Sequence, residues 1–387
     1  MSQSIPETFD GKRMRQVRRA KGYTQEGWGG YLGRSRISVF NWEKKNKSPS
    51  DDVFERLHLE FGIPRDYFFK NRPGLGTKPV HYRSRASAAA KEREVAEWHL
   101  EHLFDIHDEV GGYFDLPKLE LPSLVMPPDP SKLHAAVIEQ AAEATRRAWG
   151  VREGPIEDLV GLAEDNGFVV SRVMLDTKRL DGLSINVGNK FVFTILAADK
   201  RSSVRSRHDL AHEIGHAVLH HQVPKELLKD SEAFKEVERQ AAHFAGALLF
   251  PAAEFVEAAY PFTLATFRRL KMKWGVSIGA MAMRAKQLER VSDLRARKMF
   301  ITMSKRGWRT REPLDDVLDI EKPWLLKSTI QTLFQEEIVS PNMFIHDLAL
   351  PADEVEFLAG LPPGFFDKHS TRRRDVRSRL RRKTPMD

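Results

Sequence analysis

The stretch 208-HDLAHEIGHAVLHH-221 holds five of the chain's fourteen histidines, and four of them recur at every fourth residue: His208, His212, His216 and His220. Residues four positions apart lie on one face of an α-helix, with about 5–6 Å between their Cβ atoms. A zinc–nitrogen bond is only about 2.0–2.1 Å long, so one ion can bind just one adjacent pair of this stripe. The spacing predicts a metal-binding helix, with three pairs of histidines to choose from.

The residue that follows the first histidine distinguishes the three pairs. A hydrolytic site needs a base that reaches the attacking water without ligating the metal, and a Glu one position on is turned by about 100° around the helix. Glu213 follows His212 and completes an HExxH motif with His216, whereas Asp209 has a shorter arm and Ala217 carries no acid. We therefore predict His212 and His216 as metal ligands and Glu213 as the catalytic base. The alternative is a His-rich amphipathic helix without a metal.

A third protein ligand is needed, and the segment 236-EVERQAAHFAGALLFP-251 offers Glu238. Glu238 shares a helix face with apolar residues, where a carboxylate is costly unless it is paired or ligates a metal. A salt bridge from Glu238 to Lys235 or Arg239 is the alternative. Two histidines and one carboxylate would leave an open position for water, as in catalytic zinc sites. Zinc is the expected cofactor, and manganese or iron would also suit these ligands.

Three stretches together resemble the ImmA/IrrE family of metallopeptidases: LDGLSINV (180–187), RHDLAHEIGHAVLHH (207–221) and ERQAAHFAGALLFP (238–251). The resemblance implies an α+β zincin-like fold with the same three ligands and the same base. Ala242 departs from the family, which usually carries Asn or Asp at this position. The stretch LSINV-Gly188-Asn189-KFVFTI also predicts a β-hairpin, whose edge strand could bind a peptide by β-addition.

The remaining histidines of these two helices are expected to have other roles. We expect His220 at the helix end or behind a ligand, and His221 exposed to solvent. His208 should take part in packing or a hydrogen bond, and His243 should lie at the surface. The alternative for His243 is a group that polarises the substrate.

Residues 13–69 resemble the Xre and phage-repressor type of helix-turn-helix domain. Thr24 would cap the second helix, Gly33 would form the turn, and residues 35–42 would form the recognition helix that enters the major groove. The resemblance places base and phosphate contacts at Gln25, Ser35, Arg36, Ile37, Ser38 and Asn41. Unlike the family, the chain has Trp28-Gly29 and Arg34 at core positions, so the packing there must differ. The alternative is a helical scaffold that has lost DNA binding.

Composition constrains the class of protein. The net charge of +8 makes an anionic partner such as DNA plausible, and the lack of cysteine excludes disulfides, thiolate metal sites and Cys nucleophiles. The N-terminus has no signal-peptide pattern, and no apolar run is long enough to span a membrane. We expect a cytoplasmic protein without a membrane partner.

The predicted fold is multidomain. An all-α helix-turn-helix domain (1–70) precedes a linker that is helical and then Pro-rich (71–130), in which 116–130 forms an extended tether. The α+β metallopeptidase domain (131–290) follows. A mainly helical C-terminal region (291–387) ends in an arginine-rich tail at 371–383.

These features predict a DNA-binding transcriptional regulator with a zinc-dependent endopeptidase domain. It would bind operator DNA as a homodimer and cleave a regulator protein or itself, with 116–130 as a candidate cut site, to relieve repression. The alternative is a catalytically silent repressor or antitoxin whose peptidase-like domain senses a ligand or partner. A third hypothesis is a metal site that only stabilises the fold of the domain.

Overall fold

The computed structural model describes residues 8–69, 80–84, 90–174, 180–198, 202–224 and 226–367. Contacts along the chain divide it into two compact units. The first unit comprises residues 1–76, 89–115 and 324–387, and the second comprises 77–88 and 116–323. The predicted arginine-rich tail lies outside the described residues. Within the described ranges, none of the helices has the length and apolar character needed to cross a bilayer.

The first unit is helical. Its helices are α1 (Gly11–Ala20), α2 (Gln25–Leu32), α3 (Arg36–Lys45), α4 (Asp51–Phe61), α5 (Ala90–Gly111), α14 (Leu325–Gln335), α15 (Pro341–Leu348) and α16 (Ala352–Leu358), with a 3-10 turn at Arg65–Phe68. Thr24 caps α2, as predicted, because its hydroxyl accepts the amide hydrogen of Gly27 at 3.0 Å. Gly33 ends α2 with a φ of 67°, a left-handed conformation that glycine adopts without strain.

Helix α5 is part of the first unit. Arg19 and Arg13 of α1 form ion pairs with Glu94 and Asp105 of α5, at 2.7 and 3.5 Å. Sequence analysis predicted a helix in this part of the chain but assigned it to a linker. Helix α5 packs on the first unit instead, because its acidic residues pair with the arginines on the polar face of α1.

The second unit contains a four-stranded sheet and a surrounding set of helices. Its strands are β1 (Val80–Ser84), β2 (Phe168–Val173), β3 (Leu180–Val187) and β4 (Phe191–Ala197), and its helices are α6 (Ala135–Ala148), α7 (Leu159–Asp165), α8 (Ser203–Leu219), α9 (Ser231–Leu249), α10 (Ala252–Ala258), α11 (Leu264–Trp274), α12 (Ile278–Gln287) and α13 (Asp293–Lys305), with 3-10 turns at Pro130–Lys132 and Leu227–Lys229. The strand order is β1-β3-β4-β2, in which only β2 and β4 are parallel.

The predicted hairpin is present as β3 and β4, which pair from Gly182↔Leu196 to Val187↔Phe191. Gly188 and Asn189 at its tip have positive φ angles of 66° and 55°. A glycine and an asparagine tolerate this conformation better than other residues, which is why the pair marks the turn in the sequence. The hairpin orients β3 toward α8.

Helices α8 and α9 pack side by side and form the centre of the second unit. Gly215 of α8 allows this, because a Cβ atom there would lie 3.2 Å from the carbonyl oxygen of Ala241 and 3.1 Å from the ring of Phe244. Almost every residue of α8 is buried. The close approach brings the histidine stripe of α8 against the N-terminal half of α9.

The Pro-rich stretch 116–130, predicted as an extended tether, is attached along the second unit. It has no helix up to residue 128, but the amide of Leu119 donates to the carbonyl of Lys190 at 2.7 Å, and that of Glu120 donates to Asn166 at 3.2 Å. Leu121 and Met126 pack against the core of the second unit. The leucines that alternate with the prolines bind this stretch to the protein, which makes it a poor candidate for self-cleavage.

In the C-terminal part of the chain, the boundaries of the compact units also differ from those of the four predicted segments. Helix α13 lies in the second unit with α11 and α12, whereas α14 to α16 lie in the first unit. Residues 291–367 are therefore mainly helical, as predicted, but they are shared between the two units.

Candidate functional site

The metal ligands proposed from sequence lie together in the second unit. Atoms from His212, His216 and Glu238 that could bind a metal lie within 4.8 Å of one another, and this is the one such cluster among the described residues. His212 and His216 are almost fully buried, and the side chain of Glu238 is 25% exposed. His208 and His220 are not members of the cluster.

The distances within the cluster fit a tetrahedral metal ion. The Nε2 atoms of His212 and His216 are 3.0 Å apart, and each lies 3.3 Å from a carboxylate oxygen of Glu238. Bonds of about 2.0–2.1 Å in a tetrahedron require ligand atoms to be about 3.4 Å apart. The three groups are therefore spaced as a His₂Glu site requires.

Glu238 was expected within the buried face of α9. It lies at the border of that face. Its neighbours on the helix have other partners, because Arg239 pairs with Glu236 at 2.6 Å and Lys235 pairs with Glu232 at 2.7 Å. Glu238 is thus a carboxylate directed at the histidines, and the alternative salt bridges are absent from the described residues.

A chain of hydrogen bonds fixes the ring of His216 from behind. The amide nitrogen of Gln240 donates to the carbonyl of Pro130 at 2.6 Å and to Glu236 at 2.8 Å, so its oxygen faces His220 as an acceptor. The Nε2–H of His220 donates to that oxygen at 3.1 Å, which leaves Nδ1 of a neutral His220 as an acceptor for Nδ1–H of His216, also at 3.1 Å. In this tautomer, Nε2 of His216 carries a lone pair toward His212 and Glu238. The lone pair of His216 and the carboxylate of Glu238 then face each other, an arrangement that a bound cation would stabilise.

His220, which was expected at the helix end or behind a ligand, ends α8 and contacts His216. His220 is the C-cap residue of α8. His221 is exposed, as predicted. Gln240 was missed, although a polar residue on the buried face of α9 was a signal that could have identified it.

Glu213 is fully buried next to the hairpin. The hydroxyl of Ser184 on β3 donates a hydrogen bond to its carboxylate. Gly182, also on β3, is so near that a Cβ atom there would lie 3.8 Å from the other carboxylate oxygen. The carboxylate of Glu213, the candidate base, thus lies between α8 and β3. In the sequence, Glu213 directly follows the candidate ligand His212. Ser184 was not identified from sequence.

The prediction of a surface position for His243 is wrong. His243 is 3% exposed, and its Nε2 lies 2.6 Å from Glu139 of α6, which also binds the guanidinium of Arg284. Burial acts to raise the pKa of Glu139, but the hydrogen bonds from Arg284 and His243 lower it to about 2. These three residues connect α6, α9 and α12, and their partners lie too far apart in sequence for the local pattern to show them.

The residues proposed to contact DNA lie on α2 and α3 of the first unit. Val39 and Trp42 of α3 are buried, while Arg36 is exposed and Ile37 is 71% exposed. Ser38 and Asn41 are partly exposed. The surface of α3 therefore presents the residues that were predicted to reach base edges.

Two other predicted contact residues have roles within the protein. Ser35 caps α3, because its hydroxyl accepts the amide hydrogen of Ser38 at 3.2 Å. The amide nitrogen of Gln25 donates to Glu43 at 2.8 Å, and Glu43 also forms a buried ion pair with Arg18. Gln25 is therefore held in place at the start of α2 by this network.

Comparison with known proteins identifies part of the second unit. Residues 163–286 match the family described as IrrE N-terminal-like domain, peptidase family M78. No curated protein matches the chain. The matched range runs from α7 to α12 and includes the hairpin and the two helices that carry His212, His216 and Glu238, so the chain contains a domain similar to the ImmA/IrrE metallopeptidases.

Proposed function

We propose that the chain is a DNA-binding transcriptional regulator with a zinc-dependent endopeptidase, and that cleavage of a regulator protein or of the chain itself relieves repression. The observation that carries the proposal is the convergence of His212, His216 and Glu238 beside a buried Glu213. Each element of this set is what hydrolysis of a peptide bond needs, and the family match of residues 163–286 supports it.

The three ligands would hold one divalent ion, with zinc preferred by two imidazoles and a carboxylate, and manganese or iron also accepted. When bound, the ion supplies a Lewis acid that polarises the peptide carbonyl. The hydrogen-bond chain through His220 and Gln240 orients His216 for this role. Partners of this kind typically change metal affinity by about 10–100-fold when they are removed.

Glu213 would act as the general base and then as the general acid. Its carboxylate takes a proton from the attacking water and returns it to the nitrogen of the leaving amine. Ser184 holds one oxygen of the carboxylate from the β3 side. Gly182 lies beside the other oxygen and places no side chain against it.

The DNA-binding half of the proposal rests on α2 and α3. Arg36 can bind guanine, Asn41 can bind adenine, and Ile37 can contact the methyl group of thymine. Lys44, Lys45 and Lys47 are exposed at the end of α3 and suit phosphate contacts. We further propose that the regulator binds as a homodimer, because operators recognised by this type of domain are commonly two-fold symmetric.

The decisive experiment compares zinc-loaded full-length protein with its Glu213→Gln variant. Each is incubated alone and with a bacterial proteome, and new protein N-termini are identified by mass spectrometry. The proposal predicts new termini with the wild type and none with the variant. If the zinc-loaded wild type generates none in either incubation, the chain is a catalytically silent regulator that binds through this domain.

Metal content tests the ligand set separately. Glu238→Ala should lose stoichiometric zinc, whereas Glu232→Ala, which changes an exposed residue on the same helix, should keep it. Elemental analysis after dialysis measures both. Equal zinc in the two variants would contradict the assignment of Glu238 and leave the identity of the third ligand open to Glu213.

A further inference from the structure

The strand that adjoins the proposed catalytic base already has a partner on its outer side. Sequence analysis expected the hairpin to offer an edge for a peptide, but β1 pairs with β3 along that edge. The pairing is antiparallel and runs from Val80↔Ile185 to Ser84↔Leu180. Among the described strands, β1 therefore takes the outermost position, and β3 is internal.

This pairing occurs next to Glu213. The two β3 residues nearest its carboxylate are Gly182 and Ser184, and their partners on β1 are Arg83 and His81. Neighbouring strands lie about 4.8 Å apart. The backbone of β1 thus runs one strand spacing from the residues that border the base.

The chain makes a local excursion to form this strand. Residues 80–84 belong to the second unit, whereas α4 before them and α5 after them in the chain belong to the first. The pairing is short and contains a register shift between Arg83 and Ser84. A five-residue strand with such an irregularity is weakly held, because each residue in register contributes little and a bulge interrupts the ladder.

We propose that residues 80–84 occupy, in cis, the position in which an extended peptide substrate pairs with β3. This inference rests on the proposed function and adds a regulation to it. Sheet edges bind extended peptides through main-chain hydrogen bonds, and a tethered strand competes at a high effective concentration. A substrate in trans must displace β1, so its apparent affinity is reduced by the fraction of molecules in which β1 is paired.

The test measures peptide binding without catalysis. A fluorescein-labelled peptide with the sequence of residues 77–88 is titrated into the zinc-loaded Glu213→Gln protein by fluorescence anisotropy. Tyr82→Pro, added to that protein, removes a main-chain donor from β1 and should open the edge. We expect at least tenfold tighter binding to the Tyr82→Pro form than to the Tyr82→Ala control. Equal affinities, or no binding to either form, would overturn the proposal.

A reversible lock provides a second measurement that does not depend on the proline variant. The chain has no cysteine, so Val80→Cys with Ile185→Cys introduces a single cross-strand pair at partnered positions away from Glu213. The oxidised protein should exclude the labelled peptide, and reduction by a phosphine should restore binding. Binding that is unchanged by oxidation would also overturn the proposal.

Both measurements are separate from the activity of the site. Binding that responds to the lock while the wild type cleaves nothing would disprove the peptidase and leave the cis occupancy intact. Cleavage by the wild type with no response to the lock would disprove the cis occupancy alone.

Discussion

Nε2 of His220 lies 3.1 Å from the side-chain oxygen of Gln240, a residue one helix away. The pair matters because the amide of Gln240 is fixed by two other acceptors and cannot turn without losing them. The proton on His220 is thereby placed on Nε2. A neutral His216 must then direct the lone pair of its Nε2 atom toward His212 and Glu238.

Replacing Gln240 with Leu should weaken zinc binding. The variant removes the acceptor for His220, so the tautomer of His216 is no longer fixed and part of the population presents a proton to the metal. We expect a loss of about 10–100-fold in zinc affinity, measured by competition with a chromophoric chelator. Glu232→Ala, which removes an exposed residue of α9 that pairs with Lys235, is the control. Equal affinities of wild type and Gln240→Leu would contradict the role of this hydrogen bond.

Replacing Glu139 with Gln should destabilise the second unit most at neutral pH. The pKa of Glu139 falls from an ordinary 4.5 to about 2 on folding. A lowered folded pKa adds stability above pH 4.5 that is lost as pH falls toward 2, and this shift corresponds to about 3 kcal/mol. Urea unfolding of the zinc-free wild type and variant should differ by about this free energy at pH 7 and by less than half of it at pH 3. A difference that does not change with pH would show that Glu139 does not act through its charge.

Two neighbouring glycines of α2 should respond oppositely to alanine. A Cβ atom on Gly29 would lie 2.6 Å from the carbonyl oxygen of Arg34, whereas nothing lies within 4 Å of one on Gly30. Gly30→Ala should stabilise the first unit by about 1 kcal/mol, because alanine favours the helix. Gly29→Ala should lower the free energy of unfolding despite the same gain. Thermal unfolding measures both, and stabilisation by Gly29→Ala would show that the turn after α2 can move.

Arginine and lysine on α3 should affect DNA binding in different ways. Arg36→Ala should weaken binding to a duplex selected in vitro by the wild-type protein by about 1–3 kcal/mol and relax its sequence preference. Lys45→Ala should weaken binding to all sequences and reduce the dependence on salt by about one ion. Anisotropy titrations at several salt concentrations distinguish the two effects. Leu59→Ala, on an exposed surface of α4, is the control. Unchanged selectivity in Arg36→Ala would rule out base recognition by that residue.

The parts of the site that depend on local spacing could be predicted from the sequence. His212 and His216 face one point because the helix repeat alone brings them there. The hairpin turn at Gly188-Asn189 follows similarly from the backbone preferences of two residues. The cap of α2 is local as well, and Thr24 occupies it as predicted, whereas Ser35, which was predicted as a DNA contact, caps α3.

The features that sequence analysis missed depend on contacts between distant segments. Whether His243 is exposed depends on Glu139 and Arg284, which approach it only after α6 and α12 have packed. The sequence of β1 shows no alternation of apolar and polar residues, and the stretch around it is typical of a linker. Its pairing with β3 is a tertiary contact, and no period in its five residues predicts it. Gln240 acquires its role in the same way, from Pro130 and His220.

The ion pairs between α1 and α5 have a consequence for how a self-cut would behave. A break in the chain within residues 80–84 would separate α1 to α4 covalently from everything that follows. Arg19 and Arg13 would still hold Glu94 and Asp105 across that break. We expect the two pieces to migrate as one species under native conditions and to come apart on a denaturing gel, so a nicked protein would keep α1 to α4 docked on α5.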